Sequence, residues 1–280
     1  MAEMVHHEDP NHPVIAVIGG QYRNMLHELV AQCPALDAVG LNSYADMLTL
    51  PEDVRREGWT KPYLVTEFGP RGHWQVRKTP WRLPIEDSSS EKADFYLEAY
   101  RHAVDGQPQC LGSYVFYWAS KQEKTHTWYG MFLPDGSRTE AIDVMTRLWT
   151  GNWPANRCPR VGSRKIEVRA PSDRANKIAG IFAPGTELEC RFDVTDPESD
   201  PLKITWDLRP DVADNPNTGG DAEPASKPIP DSVRESTDNR ATIRLPEREG
   251  NYRIFAYAHD SHGSAAAANL PIRVTGGAEP

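Results

Sequence analysis

Apolar and polar positions change rhythm once along this chain. Up to about Gly151, short unbroken apolar runs alternate with stretches whose apolar residues recur every three or four positions; beyond about Lys165 they fall on every second position. The first rhythm belongs to parallel strands joined by crossover helices, the second to strands with one face in a core and one in water. In the first part, strands are expected over residues 14–18, 37–42, 62–67 and 111–118. The helix before the last of these opens with Ser88-x-x-Glu91, places Tyr96, Ala99, Tyr100, Ala103 and Val104 on one face and closes at Gly106. A second helix opens with Ser137-x-x-Glu140 and carries Ala141, Val144, Met145, Leu148 and Trp149 before Gly151. Met25, Leu26, Leu29 and Val30 mark a shorter helix, and Pro51 starts another at its first position.

Residues 151–164, with Pro154, Pro159 and Gly162, read as a linker. In 165–276, Leu188, Cys190, Phe192 and Val194, then Leu202, Ile204, Trp206 and Leu208, then Tyr252, Ile254, Ala256 and Ala258 alternate with their neighbours, which predicts an antiparallel sandwich. The stretch 209–240 is rich in Pro, Asp, Asn and Ser and reads as a mobile loop within it. The expected architecture is α/β followed by all-β, with domains at 1–150 and 165–276.

With 280 residues and 39% hydrophobic composition, two cores are within reach. No apolar run approaches the roughly 20 residues that span a bilayer, and residues 1–10 lack a basic segment followed by an apolar one, so neither membrane anchor nor leader is expected and the compartment stays open. A net charge of −9 argues against a nucleic-acid partner. Cys33, Cys110, Cys158 and Cys190 lie far apart without a Cys-x-x-Cys pair, so no zinc site or disulfide framework is read. No cofactor is called for.

The chemistry concentrates at Thr66-Glu67-Phe68-Gly69, where a buried run ends on a carboxylate. Together with Asp9-Pro10-Asn11-His12-Pro13-Val14, Val39-Gly40-Leu41-Asn42-Ser43-Tyr44 and Gly112-Ser113-Tyr114-Val115-Phe116-Tyr117-Trp118, this order resembles the second half of the catalytic barrel of retaining glycoside hydrolases of clan A, particularly family 2-like enzymes. The resemblance implies a partial (β/α)8 barrel, strands five to eight, with Glu67 at the nucleophile position and Asn42, Tyr44 and Trp118 in the sugar site. It covers roughly residues 12–151. Retaining hydrolysis needs two carboxyl groups about 5 Å apart, one attacking the anomeric carbon and one protonating the leaving oxygen. In the family the second usually follows an asparagine, and this sequence contains no Asn-Glu pair. An intact barrel takes about 250 residues, so the expectation is a fragment acting on O-glycosidic bonds that carries the nucleophile, lacks the acid/base and is inactive alone. Its partners are then carbohydrate and either a missing barrel half or a second copy. The alternative is a non-catalytic carbohydrate-binding or scaffolding protein, and transfer of the sugar to an acceptor other than water stays open.

Residues 68–89 lack periodicity and carry Trp74, Trp81, Arg71, His73, Arg77 and Lys78, a composition suited either to a wall of a sugar cleft or to a solvated flap. Glu123 either contacts substrate or joins a surface charge pair. His6, His7, Glu8, Asp9 and His12 are read as a polar entry turn and not a metal site. Asp193, Asp196, Glu198, Asp200 and Asp260 offer oxygen ligands of the kind calcium takes, but Asp-Pro turn chemistry accounts for them without an ion. The region 165–276 resembles immunoglobulin-like and PKD-like modules appended to secreted carbohydrate enzymes, for which the sequence favours a spacer role.

Overall fold

The computed structural model describes residues 1–20, 22–170, 180–212 and 223–276. By contacts it divides into two compact units, residues 1–72 with 95–116, and residues 73–94 with 117–280.

The first unit is built on β1 (Ile15–Gly19), β2 (Ala38–Asn42), β3 (Tyr63–Phe68) and β4 (Cys110–Val115), a parallel sheet in that order. All four fall within two or three residues of the positions the apolar runs indicate. Helices α2 (Tyr22–Gln32), α3 (Leu50–Arg56) and α4 (Ser89–Ala103) follow the first three strands. Val39, Leu41, Tyr63, Val65 and Phe68 are buried, as are Leu26, Val54, Phe95, Tyr96 and Ala99 on the helices. Two hydroxyls tie α4 to the sheet: Tyr63 Oη donates to the Ala103 carbonyl at 2.8 Å and Tyr96 Oη to the Phe116 carbonyl at 2.9 Å. Gly40 has to be glycine, because a Cβ there would stand 2.7 Å from Thr66 Cγ2 and 2.9 Å from Val17 Cγ2. The outer strands β1 and β4 have no further strand neighbour among the described residues, and they expose Ile15, Val17, Leu111 and Tyr114.

The sequence reading missed a helix here and a short 3-10 turn at Ala45–Leu48. Ala2–Glu8 forms a helix, α1, with no buried residue and therefore no apolar stripe to announce it. The Ser88–Glu91 capping box is present, with Glu91 Oε2 accepting from Ser88 N at 2.7 Å and Ser88 Oγ from Glu91 N at 3.3 Å. The second expected box is not. Helix α5 (Glu140–Thr150) starts after Thr139, two residues beyond Ser137, and without a side-chain cap, because the Thr139 hydroxyl donates instead to the Met131 carbonyl at 2.9 Å, while the Glu140 carboxylate meets Arg160. It ends at Gly151 in the left-handed conformation, φ 79°.

The second unit contains two sheets. One runs in the order β5 (Arg160–Arg169), β7 (Glu187–Thr195), β10 (Arg240–Arg244), β9 (Val233–Thr237) and is antiparallel throughout. The other runs β6 (Ile181–Phe182), β12 (Ala265–Val274), β11 (Gly250–His259), β8 (Lys203–Pro210), antiparallel except for β6 against β12. Both contribute to one apolar cluster that includes Ile166, Leu188, Phe192, Ile243, Leu208, Ile254, Ala256 and Ile272.

Three expectations are corrected in this unit. Strand β5 begins at Arg160, inside the stretch read as linker, and residues 157–160 are fastened to α5: Cys158 N donates to Asp143 Oδ2 at 2.6 Å, and Arg157 and Arg160 both reach Glu140. Strand β9 lies inside the stretch read as a mobile loop; its residues are nearly all polar and exposed, so backbone pairing with β10 holds it without an apolar signal. Residues 213–222 of that stretch lie outside the described residues. The third correction concerns alternation. In β11, Tyr252, Arg253, Ile254, Phe255 and Ala256 are all buried, because the second face of this sheet is covered as well. Leu133, Ala265, Ala267 and Tyr257 form a small cluster on that side.

Candidate active site

Glu67 stands at the carboxyl end of β3, and a local irregularity aims it. Leu41 of β2 pairs with Val65, but the next residue, Asn42, pairs with Glu67, so Thr66 is an extra residue on β3. In a regular strand, successive side chains point to opposite faces. Here two successive side chains reach the same residue, Thr66 Oγ1 donating to Asn42 Oδ1 at 2.8 Å and Asn42 Nδ2 donating to Glu67 Oε2 at 3.3 Å. The bulge makes this possible, as bulges do where a strand must redirect a side chain.

The other carboxylate oxygen is held from the segment after β2. Tyr44 Oη donates to Glu67 Oε1 at 2.5 Å, and the Ser43 amide donates to the Glu67 carbonyl at 2.8 Å. Tyr44 is itself placed by Phe116, edge-on at 6.2 Å between ring centroids, and by Gly69, whose lack of a side chain leaves the phenol room. Glu67, Tyr44 and Asn42 are each half-buried. Each carboxylate oxygen therefore has one donor, and the group is oriented and still reachable by solvent. Such an arrangement suits a carboxylate that attacks an electrophilic carbon. Of the six residues singled out for the sugar site, Asn42, Tyr44 and Glu67 are brought together.

Trp74, Trp118 and Glu123 belong to the second unit. Trp74 is 55% exposed and meets the His73 ring edge-on at 4.9 Å. His73 is half-buried, and that burial, with Lys124 nearby, lowers its pKa to about 4, so it is neutral at pH 7. Trp118 is 56% exposed, stacks on Trp149 at 6.3 Å and meets Phe132 edge-on at 5.7 Å. Glu123 is buried, not on the surface, and accepts from Lys121 Nζ at 2.6 Å. Trp81 packs against the backbone at Gly180, where a Cβ would lie 2.9 Å from its ring. In the first unit, the Arg71 guanidinium lies over the Phe95 ring at 4.7 Å.

The histidine cluster near the start does not converge. His6 Nε2 meets Asp37 Oδ2 at 2.8 Å and His12 Nδ1 meets Asp9 Oδ2 at 2.7 Å, two separate pairs. Of the five acidic residues weighed for calcium, Asp196, Asp200 and Asp260 bring oxygens within 4.8 Å of one another. One oxygen of Asp196 caps the Glu198 and Asp200 amides and one of Asp260 caps those of His262 and Ser264, which is the turn chemistry their sequence predicts. Asp193 is instead directed at the Arg164 amide, and Glu198 at the Arg157 amide.

Sequence reasoning did not find the bulge at Thr66, which leaves no compositional mark, nor the role of Gly69 in seating Tyr44.

No protein-family model matches this chain, and no curated protein matches it in sequence. Among solved structures it is similar to an exo-beta-agarase at 18% identity, with TM-score 0.37 over 53% of this chain and 21% of that one. It is also similar to an exo-beta-1,3-glucanase from Aureobasidium namibiae, at 11% identity and TM-score 0.36 over 51% of this chain and 56% of that one. A third likeness is to beta-glucuronidase 3 from Bacteroides uniformis, at 13% identity and TM-score 0.33 over 98% of this chain and 33% of that one. The chain thus spans less than two thirds of the length of each.

Proposed function

We propose that this chain is the part of a retaining glycoside hydrolase that carries the nucleophile, Glu67. The observation that supports the reading is the pair of donors on one strand-end carboxylate: Tyr44 on Oε1 and Asn42 on Oε2. In this reading β1 to β4 are strands five to eight of a (β/α)8 barrel, and the two sheets beyond Arg160 are a β-sandwich of the immunoglobulin or PKD kind. Trp74, Trp118 and Glu123 are carried as sugar-contacting positions on the strength of the sequence; the half-exposed indoles of the first two suit the C–H face of a pyranose.

A Glu67 oxygen forms a bond to the anomeric carbon as the C–O bond to the leaving group breaks, and the departing oxygen takes a proton from a second carboxyl group. No Asn-Glu pair in the sequence offers that second group, so the chain is proposed to be inactive on natural glycosides by itself. Its partners are a carbohydrate and a polypeptide that supplies the remaining strands, either a separate barrel half or a second copy.

A 2-deoxy-2-fluoro glycoside with a 2,4-dinitrophenolate leaving group separates the nucleophile from the acid, because that leaving group departs without a proton. Across a panel of such glycosides, one of them should add a single fluoroglycosyl unit to the chain, mapped to Glu67 by peptide mass spectrometry and absent in Glu67→Gln. Labelling at another residue, or labelling that survives Glu67→Gln, would overturn the reading. A carbohydrate-binding protein without turnover is the second reading, favoured by the missing Asn-Glu pair; it expects sugar binding and no label.

A further inference from the structure

The segments that follow β3 and β4 are gripped by one buried polar cluster that the proposed chemistry does not use. Glu86 is 2% exposed. Its Oε1 accepts from Lys92 Nζ at 2.5 Å and Thr127 Oγ1 at 2.8 Å, and its Oε2 from Thr125 Oγ1 and Asn269 Nδ2, both at 2.6 Å. Lys92 Nζ also donates to the Thr127 carbonyl at 2.5 Å. Arg253, 1% exposed, donates through Nε to Asp211 at 2.8 Å, through one terminal nitrogen to Asn269 Oδ1 at 2.7 Å and through the other to the Pro84 carbonyl at 3.1 Å. Burial pushes the Glu86 carboxyl up, but the charges of Lys92 and Arg253 and the hydrogen bonds outweigh it and hold its pKa below the ordinary value. The cluster is an anion enclosed by donors from three places: residues 84–92, residues 125–127, and strands β11 and β12.

The chain continues from Thr127 directly into the buried Trp128 and Tyr129. Tyr129 Oη accepts from the His73 amide at 3.3 Å, and the His73 ring lies edge-on to Trp128 at 6.1 Å and to Trp74 at 4.9 Å. Trp74, the exposed member, is the last link of a run of contacts that starts on β12.

We propose that Asn269 and Glu86 are positioning residues for Trp74: the C-terminal sheets fix Thr125–Thr127, these fix Trp128 and Tyr129, and these fix His73 and the Trp74 face. This rests on the reading of Trp74 as a sugar contact for its purpose, though not for its mechanics. A spacer has no reason to enclose an arginine and an asparagine against loops outside itself, since a buried polar group is costly unless every partner is present. The sheet module then holds Trp74 in place, which is more than a spacer does.

Fluorine NMR of the full chain labelled with 5-fluorotryptophan tests this, with Trp74, Trp128 and Trp206 assigned from Trp→Phe variants. Asn269→Leu and Glu86→Gln should each shift or broaden the Trp74 and Trp128 lines and leave Trp206, in the core between the sheets, in place. Leu188→Ala, which opens that core without touching the cluster, should lower the melting temperature and leave Trp74 unmoved. If Asn269→Leu or Glu86→Gln does not fold, Thr125→Val removes one donor to Glu86 and should move the same two lines. A Trp74 line unmoved by the cluster variants, or moved as far by Leu188→Ala, would overturn the proposal. A Trp74→Ala chain that labels at Glu67 at the original rate would instead overturn the sugar contact, leaving the positioning in force.

Discussion

A methyl group on Gly69 would lie 3.0 Å from Cε1 of Tyr44 and 3.0 Å from the Phe116 carbonyl oxygen. The carbonyl belongs to a backbone bonded to β3 through Phe116 N to the Phe68 carbonyl at 2.7 Å, so the phenol ring is the part that yields. Gly69→Ala should therefore turn Tyr44 away from Glu67 without unfolding the sheet. A hydrogen bond to a charged group contributes about 1.5–3 kcal/mol, so both Gly69→Ala and Tyr44→Phe are expected to slow fluoroglycoside labelling of Glu67 by about 10- to 100-fold. Intact-mass time courses read this directly; unchanged rates in both variants would remove Tyr44 from the site.

The Arg253–Asp211 pair has both side chains 1% exposed. Removing one partner of such a pair strands the other charge in the interior, at a cost of about 3–5 kcal/mol, whereas replacing both by apolar residues is far milder. Arg253→Met should lower urea stability by that amount, and Arg253→Met with Asp211→Leu should recover part of it. A single variant costing under about 1 kcal/mol would mean the pair is not sealed from water.

His126 is buried, and burial, with the charge of Arg209, lowers its pKa from 6.5 to about 4. The folded protein keeps this ring neutral, so the unfolded chain binds its proton first as the pH falls. The stability that this neutral ring contributes is fully present above about pH 6.5 and is lost between there and pH 4, a slope to which His73 adds in the same direction. Below the ordinary glutamate range, protonation of Glu86 adds a further loss, since its folded pKa is lowered. Melting temperatures across pH 7 to 4 should show this fall, and His126→Phe should flatten it; an equally steep profile in the variant would assign the slope elsewhere. Tyr257 Oη, which meets His126 Nε2 at 2.6 Å, keeps Asp207 Oδ2 at 3.4 Å as an acceptor in that variant.

Ile15 and Val17 on β1 and Leu111 and Tyr114 on β4 are 40–63% exposed on the two outer strands of one parallel sheet. Unpaired strand edges with exposed apolar side chains recruit other chains. The chain should elute in size-exclusion chromatography above its 31.4 kDa monomer mass, and Val17→Lys with Tyr114→Lys should shift it toward that mass. A wild-type monomer resistant to concentration would show these edges to be tolerated.

What the sequence disclosed, and what it withheld, divides by the kind of force involved. Apolar runs and helical spacing marked β1 to β4, α4 and α5, because burial writes itself into the order of residue types. Glu67 was legible as a carboxylate at the end of such a run, whereas Tyr44 and Asn42 came beside it only through the family resemblance. Helix α1 buries nothing and β9 is held by backbone pairing, so neither leaves a pattern. The Glu86 cluster was illegible for a different reason. Its members sit 183 positions apart in the case of Glu86 and Asn269, and polar residues that would ordinarily be assigned to the surface are enclosed there. The same covering of the second face turned β11 from an alternating strand into a continuously buried one.

Ala265 to Ala268 are four buried alanines in succession on β12, two facing the cluster between the sheets and two facing Leu133 and Tyr257. A strand so thin on both sides acts as a gauge that fixes the spacing of two layers at once. Transplanting 165–276 into another gene would strip one of those layers, uncovering shallow alanines, an arginine short of its Pro84 partner and an Asn269 amide short of Glu86. The heritable piece is therefore larger than the pair of sheets: residues 73–94 and 117–164 must travel with it.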